Sequence, residues 1–137
     1  MGAWGPGIFE NDTACDWAYG LEGLKDLSLV ESALDAVLEA AGGECLEAPQ
    51  AEEALAAAEV IARLQGNWGV KDPYTEAMDR WVQKVKLAPG PELARKALAS
   101  IQRILSAPSE LLELWEESED FEAWKKSVED LKARIRA

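Results

Sequence analysis

PQAEEALAAAEVIARLQ, residues 49–65, is the stretch on which the fold turns. It opens with proline, which suits the first turn of a helix because the N–H it lacks would have no partner there. Gly66 follows as a stop. Between the two lie Ala51, Ala54, Ala56, Ala57, Ala58 and Ala62. Small side chains let a neighbouring backbone approach closely, so this helix is expected at the centre of the molecule.

Helical periodicity extends outward from it in both directions, covering nearly everything after residue 11. Upstream, Ala14, Trp17, Ala18 and Leu21 recur at the spacing of one buried stripe, with Asn11 or Asp12 as the N-cap. Ser28-Leu29-Val30-Glu31 has the form of a capping box opening a second helix, which Gly42-Gly43 would end. Downstream, Asp72-Pro73 reads as an N-cap followed by proline at the first helical position, before a helix burying Ala77, Met78, Trp81 and Val85. Ala88-Pro89-Gly90-Pro91 breaks the chain ahead of a fifth helix carrying Ala94, Ala97, Leu98, Ile101 and Ile104. After Pro108 comes a short helix with Leu111, Leu114 and Trp115 inward. A last one places Phe121, Trp124, Val128, Leu131 and Ile135 on one face, with Glu122–Lys126 and Asp130–Arg134 as outward i,i+4 pairs. No segment alternates strictly, so no strand is expected. The reading is all-α: a single domain over residues 1–137, a bundle of six to seven helices. Residues 1–11, rich in Gly and Pro but carrying Trp4, Ile8 and Phe9, form an ordered irregular arm packed on it.

The 137 residues include 26 acidic and 14 basic side chains, a net charge of −12. That balance disfavours nucleic acid, whose binding rests on Lys and Arg neutralising phosphates, and it disfavours anionic membrane surfaces. The charge is uneven: residues 1–50 hold ten acids against Lys25, and residues 51–137 hold sixteen against thirteen. No apolar run approaches the roughly 20 residues of a membrane span, and the first residues lack the pattern of a secretory leader. A cytoplasmic location is expected, with Cys15 and Cys45 as free thiols.

There is no histidine. This removes the Ser-His-Asp and Cys-His arrangements, the HExxH zinc site and most imidazole-based metal sites. Carboxylates remain. Glu10, Asp12 and Asp16 cluster at the start of the first helix, where they could form a weak divalent-metal or basic-ligand site, or simply suit the helix dipole and solvent. Glu59 lies among Ala57, Ala58, Val60, Ile61 and Ala62, so it is expected to be at least partly buried and to need partners. Arg63, four residues on, is one. The arm's glycine amides or a Trp indole are others. Trp4 and Trp68, flanked by glycine, either line a binding surface or cap the bundle ends. Trp17, Trp81, Trp115 and Trp124 fall on apolar stripes and are expected in the core.

Met1-Gly2-Ala3-Trp4-Gly5, then Gly7, Phe9, Asn11-Asp12, Ala14 and Asp16-Trp17, resembles the opening of the bacterial family called domain of unknown function 4259. The Ala-Ala-Ala-Glu stretch ending at Glu59, Ser109-Glu110-Leu111, and Glu113-Leu114-Trp115-Glu116 extend the similarity along the chain. The resemblance implies a small bacterial cytoplasmic protein and brings no activity, cofactor or catalytic residue. Two functions stay open. One is a non-enzymatic module that binds a basic protein, as immunity proteins and inhibitors do. The other is a carboxylate-based enzyme or ligand- or metal-sensing domain using the N-terminal acidic cluster. The residues favour the first, with Trp4, Glu10, Asp12, Asp16, Glu59 and Trp68 as candidate binding residues. No catalytic residue, cofactor or metal is assigned.

Overall fold

The computed structural model describes Ala3, residues 5–40 and residues 44–137. Seven helices occur among them: α1 Asp12–Tyr19, α2 Ser28–Leu38, α3 Ala48–Leu64, α4 Glu76–Val85, α5 Pro91–Ile104, α6 Glu110–Glu116 and α7 Phe121–Arg134. There is no sheet among the described residues, only two isolated bridges, Ala3 with Asn11 and Leu46 with Ser109. The all-α reading stands.

The alanine-rich segment is the axis of the bundle. α3 packs against all six other helices. Every residue from Ala54 to Arg63 is buried, so this helix has no solvent face at all along that length. A helix buried all round is one that neighbours enclose on every side. The alanines allow it: Ala56, Ala57 and Ala58 are fully covered without pushing any neighbour away. Around it, Leu21, Leu34, Val37, Met78, Ile101, Ile104 and Leu131 close the core, and Trp17, Trp81, Trp115 and Trp124 are buried as their stripes predict.

Helix starts follow local chemistry, not always at the expected residue. Asn11 caps α1, its side chain accepting from the amide of Ala14 at 2.8 Å. Ser109 caps α6 through Leu112. Ser28, by contrast, does not form the capping box. It is the first residue of α2, and Asp26 accepts from both its amide and its hydroxyl, at 3.1 and 2.7 Å. An aspartate two residues ahead competes for the same donors and wins by its charge. Glu31 is then released to bind Lys96. Likewise Asp72-Pro73 does not begin α4. Asp72 folds a side-chain turn onto the amides of Tyr74 and Thr75, and the helix starts at Glu76. Gly42-Gly43 lies outside the described residues, and α2 has already ended at Leu38.

Two contacts tie the outer helices across the bundle. The Lys96 ammonium on α5 reaches Glu31 at 2.9 Å and Asp35 at 3.0 Å on α2, and those two carboxylates push it up to about 12. The indole N–H of Trp81 on α4 donates to the carbonyl of Leu24 at 3.0 Å, fixing α4 against the α1–α2 connection.

Candidate functional site

Glu59 is 3% exposed, the most deeply set carboxylate among the described residues. It sits on α3, between two arginines. Arg63, one turn on, donates from Nε to Glu59 Oε2 at 3.0 Å. Arg134, at the end of α7, donates from Nη1 to the same oxygen at 3.2 Å and from Nη2 to Oε1. Each guanidinium then turns its remaining donors elsewhere. Arg63 reaches Asp79 on α4 at 2.8 Å and the carbonyl of Val70 at 2.7 Å. Arg134 reaches Asp130 at 2.9 Å and the carbonyl of Asn67 at 3.2 Å. Thr75 completes the chain by donating to the second oxygen of Asp79 at 2.7 Å.

The network thus joins α3, α4, α7 and the 67–75 loop through three carboxylates and two guanidiniums. Burial pulls the Arg134 guanidinium down, but its bonds to Glu59 and Asp130 outweigh this and hold it above its ordinary value. Its planar group lies flat on the backbone at Gly69, where a β-carbon would come within 2.8 Å of it. Glu59 accepts three charge-assisted bonds, which commit most of its lone pairs to arginine and leave it ill placed to abstract a proton from a substrate.

The described part of the arm covers this centre without bonding to Glu59. Gly7, Ile8, Phe9 and Glu10 wall a cleft of about 120 Å³ whose floor includes Glu59 and Arg134. Among the described arm glycines, Gly5 and Gly7, the expected bonds to Glu59 do not form: the amide of Gly7 donates to Glu10 at 2.9 Å, and the oxygens of Glu59 accept from arginines. Glu10 curls back into its own turn, its carboxylate lying against Gly5 and Gly7, where a β-carbon at either would make it shift. Phe9 supplies the anchor instead, 3% exposed in the core. Trp4 lies outside the described residues.

The other candidates scatter. Asp12 and Asp16 are exposed on α1, and no group of three or more potential metal-ligating side chains occurs among the described residues. Their charges instead act on Cys15. Burial foremost, then Asp12, Asp16 and Asp72, push that thiol up, while it donates to the carbonyl of Phe9 at 3.1 Å. Both cysteines are unpaired. Trp68 is half-buried beside the arginine centre, with the Lys71 ammonium 4.3 Å and the Arg63 guanidinium 5.5 Å from its ring centre. Both cations rest on its π-system, a bundle-end role that a binding residue could share.

Arg134 is the member that sequence reasoning missed. Its spacing from Asp130 suggested an outward pair, and that pair exists, yet the side chain is only 15% exposed. Glu122–Lys126 does not pair among the described residues; Lys125 and Glu129 approach at 3.9 Å instead. A signal for Arg134 was present: it lies three residues after Leu131 and next to Ile135, on the apolar stripe itself.

An all-α domain with a carboxylate clamped between two arginines under a glycine-rich arm is the class that this geometry defines. The family model described as Domain of unknown function (DUF4259) matches residues 2–127, and the chain belongs to that family. Arg134 lies beyond the matched range. No curated protein and no solved structure matches the chain.

Proposed function

We propose that this domain is a protein-binding module for a basic protein partner, immunity- or inhibitor-like in kind, acting in the cytoplasm of a bacterium. The observation that carries the proposal is the state of the N-terminal carboxylates. Asp12, Asp16, Glu22, Asp26, Glu31, Glu39 and Glu44 are all exposed on or beside α1 and α2. They are outward charges with a single base, Lys25, among residues 1–50. Such a surface steers a cationic protein into encounter and rejects nucleic acid. Tyr19, 64% exposed, and Leu38, 39% exposed, lie on the same two helices and supply apolar anchor points within the charged field.

The arginine-clamped carboxylate fits this reading as scaffold. It ties α3 to α4 and α7, and α3 in turn packs against the α1 and α2 that carry the acidic face.

The test is affinity capture from cells of the source organism, comparing the wild type with Asp16→Lys/Glu39→Lys/Glu44→Lys. A basic protein retained at low salt, released by salt and bound at least about tenfold more slowly by the triple variant is the expected result. Retention that ignores both salt and charge reversal would sink the proposal.

A further inference from the structure

A second concavity lies away from the arm, between the end of α1 and the length of α4. It encloses about 300 Å³, at the lower edge of the range that small-molecule sites occupy. Its floor is built from small and aromatic groups: Ala18 on α1, Ala77 on α4 and the buried indole of Trp81. The exposed ring of Tyr19 stands at one lip. Arg80 and Lys84, one turn apart on α4, stand at the other.

Three features make this a formed site and not a surface dent. First, its floor is pinned, because the Trp81 indole is bonded to Leu24 across the two walls. Second, one wall includes Gly23 at φ +84°, a left-handed conformation that a side chain would strain. Third, its cations are available. Among the described residues Arg80 has one carboxylate, Glu76, at 3.8 Å, with both side chains more than three-fifths exposed, and Lys84 has none within ion-pair reach. An exposed pair at that distance holds its partners by a fraction of a kcal/mol.

The local balance differs from the molecule's, with Arg80 and Lys84 set against Glu22 and Glu76. Glu22 is the one carboxylate lining the groove among the described residues and Glu76 pairs with Arg80 outside it, in a chain of net charge −12. At physiological ionic strength charges more than about 8 Å away are largely screened, so the nearby cations dominate what an anion meets there. We propose that the α1–α4 groove binds a small carboxylic acid with an aromatic or short aliphatic body. Arg80 and Lys84 take the carboxylate, and the body lies against Trp81 and Tyr19. The groove shares Tyr19 and Glu22 with the acidic face but does not rest on the partner proposed for that face.

The experiment titrates the whole protein with 3-phenylpropionate and with octanoate, and separately with their neutral primary amides, following backbone and indole N–H signals by NMR. Trp81→Phe assigns the Trp81 indole signal. The acids are expected to shift that signal and the amides of α1 and α4 with dissociation constants below about 1 mM. The neutral amides, and the acids with Arg80→Gln/Lys84→Gln, are expected to bind on the order of tenfold more weakly. Both substituted side chains are exposed, so thermal unfolding of the double variant should match the wild type and separate lost binding from lost folding. The proposal is overturned if neither acid shifts these signals, if acid and amide bind alike, or if the double variant binds as the wild type does.

Discussion

At Glu59 the side chain, 3% exposed, accepts from two guanidiniums, so deleting its charge leaves Arg63 with Asp79 and Arg134 with Asp130 as their remaining carboxylate partners. Removing one partner of a buried ionic group costs about 3–5 kcal/mol. Glu59→Gln is expected to lower the unfolding free energy by that order, read from urea denaturation, and Glu59→Gln/Arg134→Gln by clearly less than the sum of the single changes. A Glu59→Gln variant that unfolds at the wild-type denaturant midpoint would refute this account of the centre. Half of it was legible in the sequence. Glu59 stood out because a charge amid alanines must find a partner, and Arg63 lay at the helical spacing that provides one. Arg134 did not stand out, because residue separation along the chain says nothing about which helix ends meet. A second residue-level expectation concerns the thiols. Cys15 is pushed up by burial and by three carboxylates, and Cys45 is exposed. Iodoacetamide, which reacts with thiolate, should label Cys45 first. Faster labelling of Cys15 would contradict its environment.

Among the elements, α3 shows how composition and patterning combine: seven alanines and no sustained polar face demand that neighbours enclose it, and they do. Boundaries were less legible: Asp26 takes the donors expected for the Ser28 capping box, and Asp72, expected as the N-cap of α4, forms a turn ahead of a helix that starts at Glu76. α3 also carries Glu52, whose carboxyl is pushed up by burial first and then by Glu110 and Glu53, while a bond from Thr13 opposes the shift. A carboxyl raised in the folded state binds more protons there than when unfolded. Its contribution is therefore fully present below the unfolded value near 4.5 and is lost as pH rises through the folded one. Glu52→Gln, which can still accept from Thr13, should raise the melting temperature modestly at pH 7 and have little effect at pH 4. The opposite ordering would show that the ionised form is the stabilising one. α7 gives a further test. Residues 134–136 supply Arg134, the buried Ile135 and a reciprocal pair of bonds between Arg136 and Gln65. Deleting 134–137 should destabilise the domain by at least as much as Glu59→Gln, measured by the same denaturation.

For the molecule as a whole, −12 spread over one small surface repels itself, while its strongest ion pairs are buried and poorly screened. Raising ionic strength from about 0.01 to 0.15 M is therefore expected to raise the melting temperature, because screening relieves the repulsion more than it weakens the pairs. A fall would mean that exposed pairs such as Lys96 with Glu31 carry more of the stability than the centre does. The charge asymmetry behind this was fully legible in the sequence, since counting needs no geometry. The α1–α4 groove was not, because Arg80, Lys84 and Tyr19 meet only once two helices separated by some 60 residues along the chain are laid side by side. The clamp on Glu59 also has a consequence for biosynthesis. A carboxylate placed at position 59 emerges from the ribosome long before the arginine at 134 that completes its neutralisation, and domains settle as cooperative units. Until that late residue is free, the nascent protein holds an unfinished interior, and the final step of its maturation waits on translation of α7.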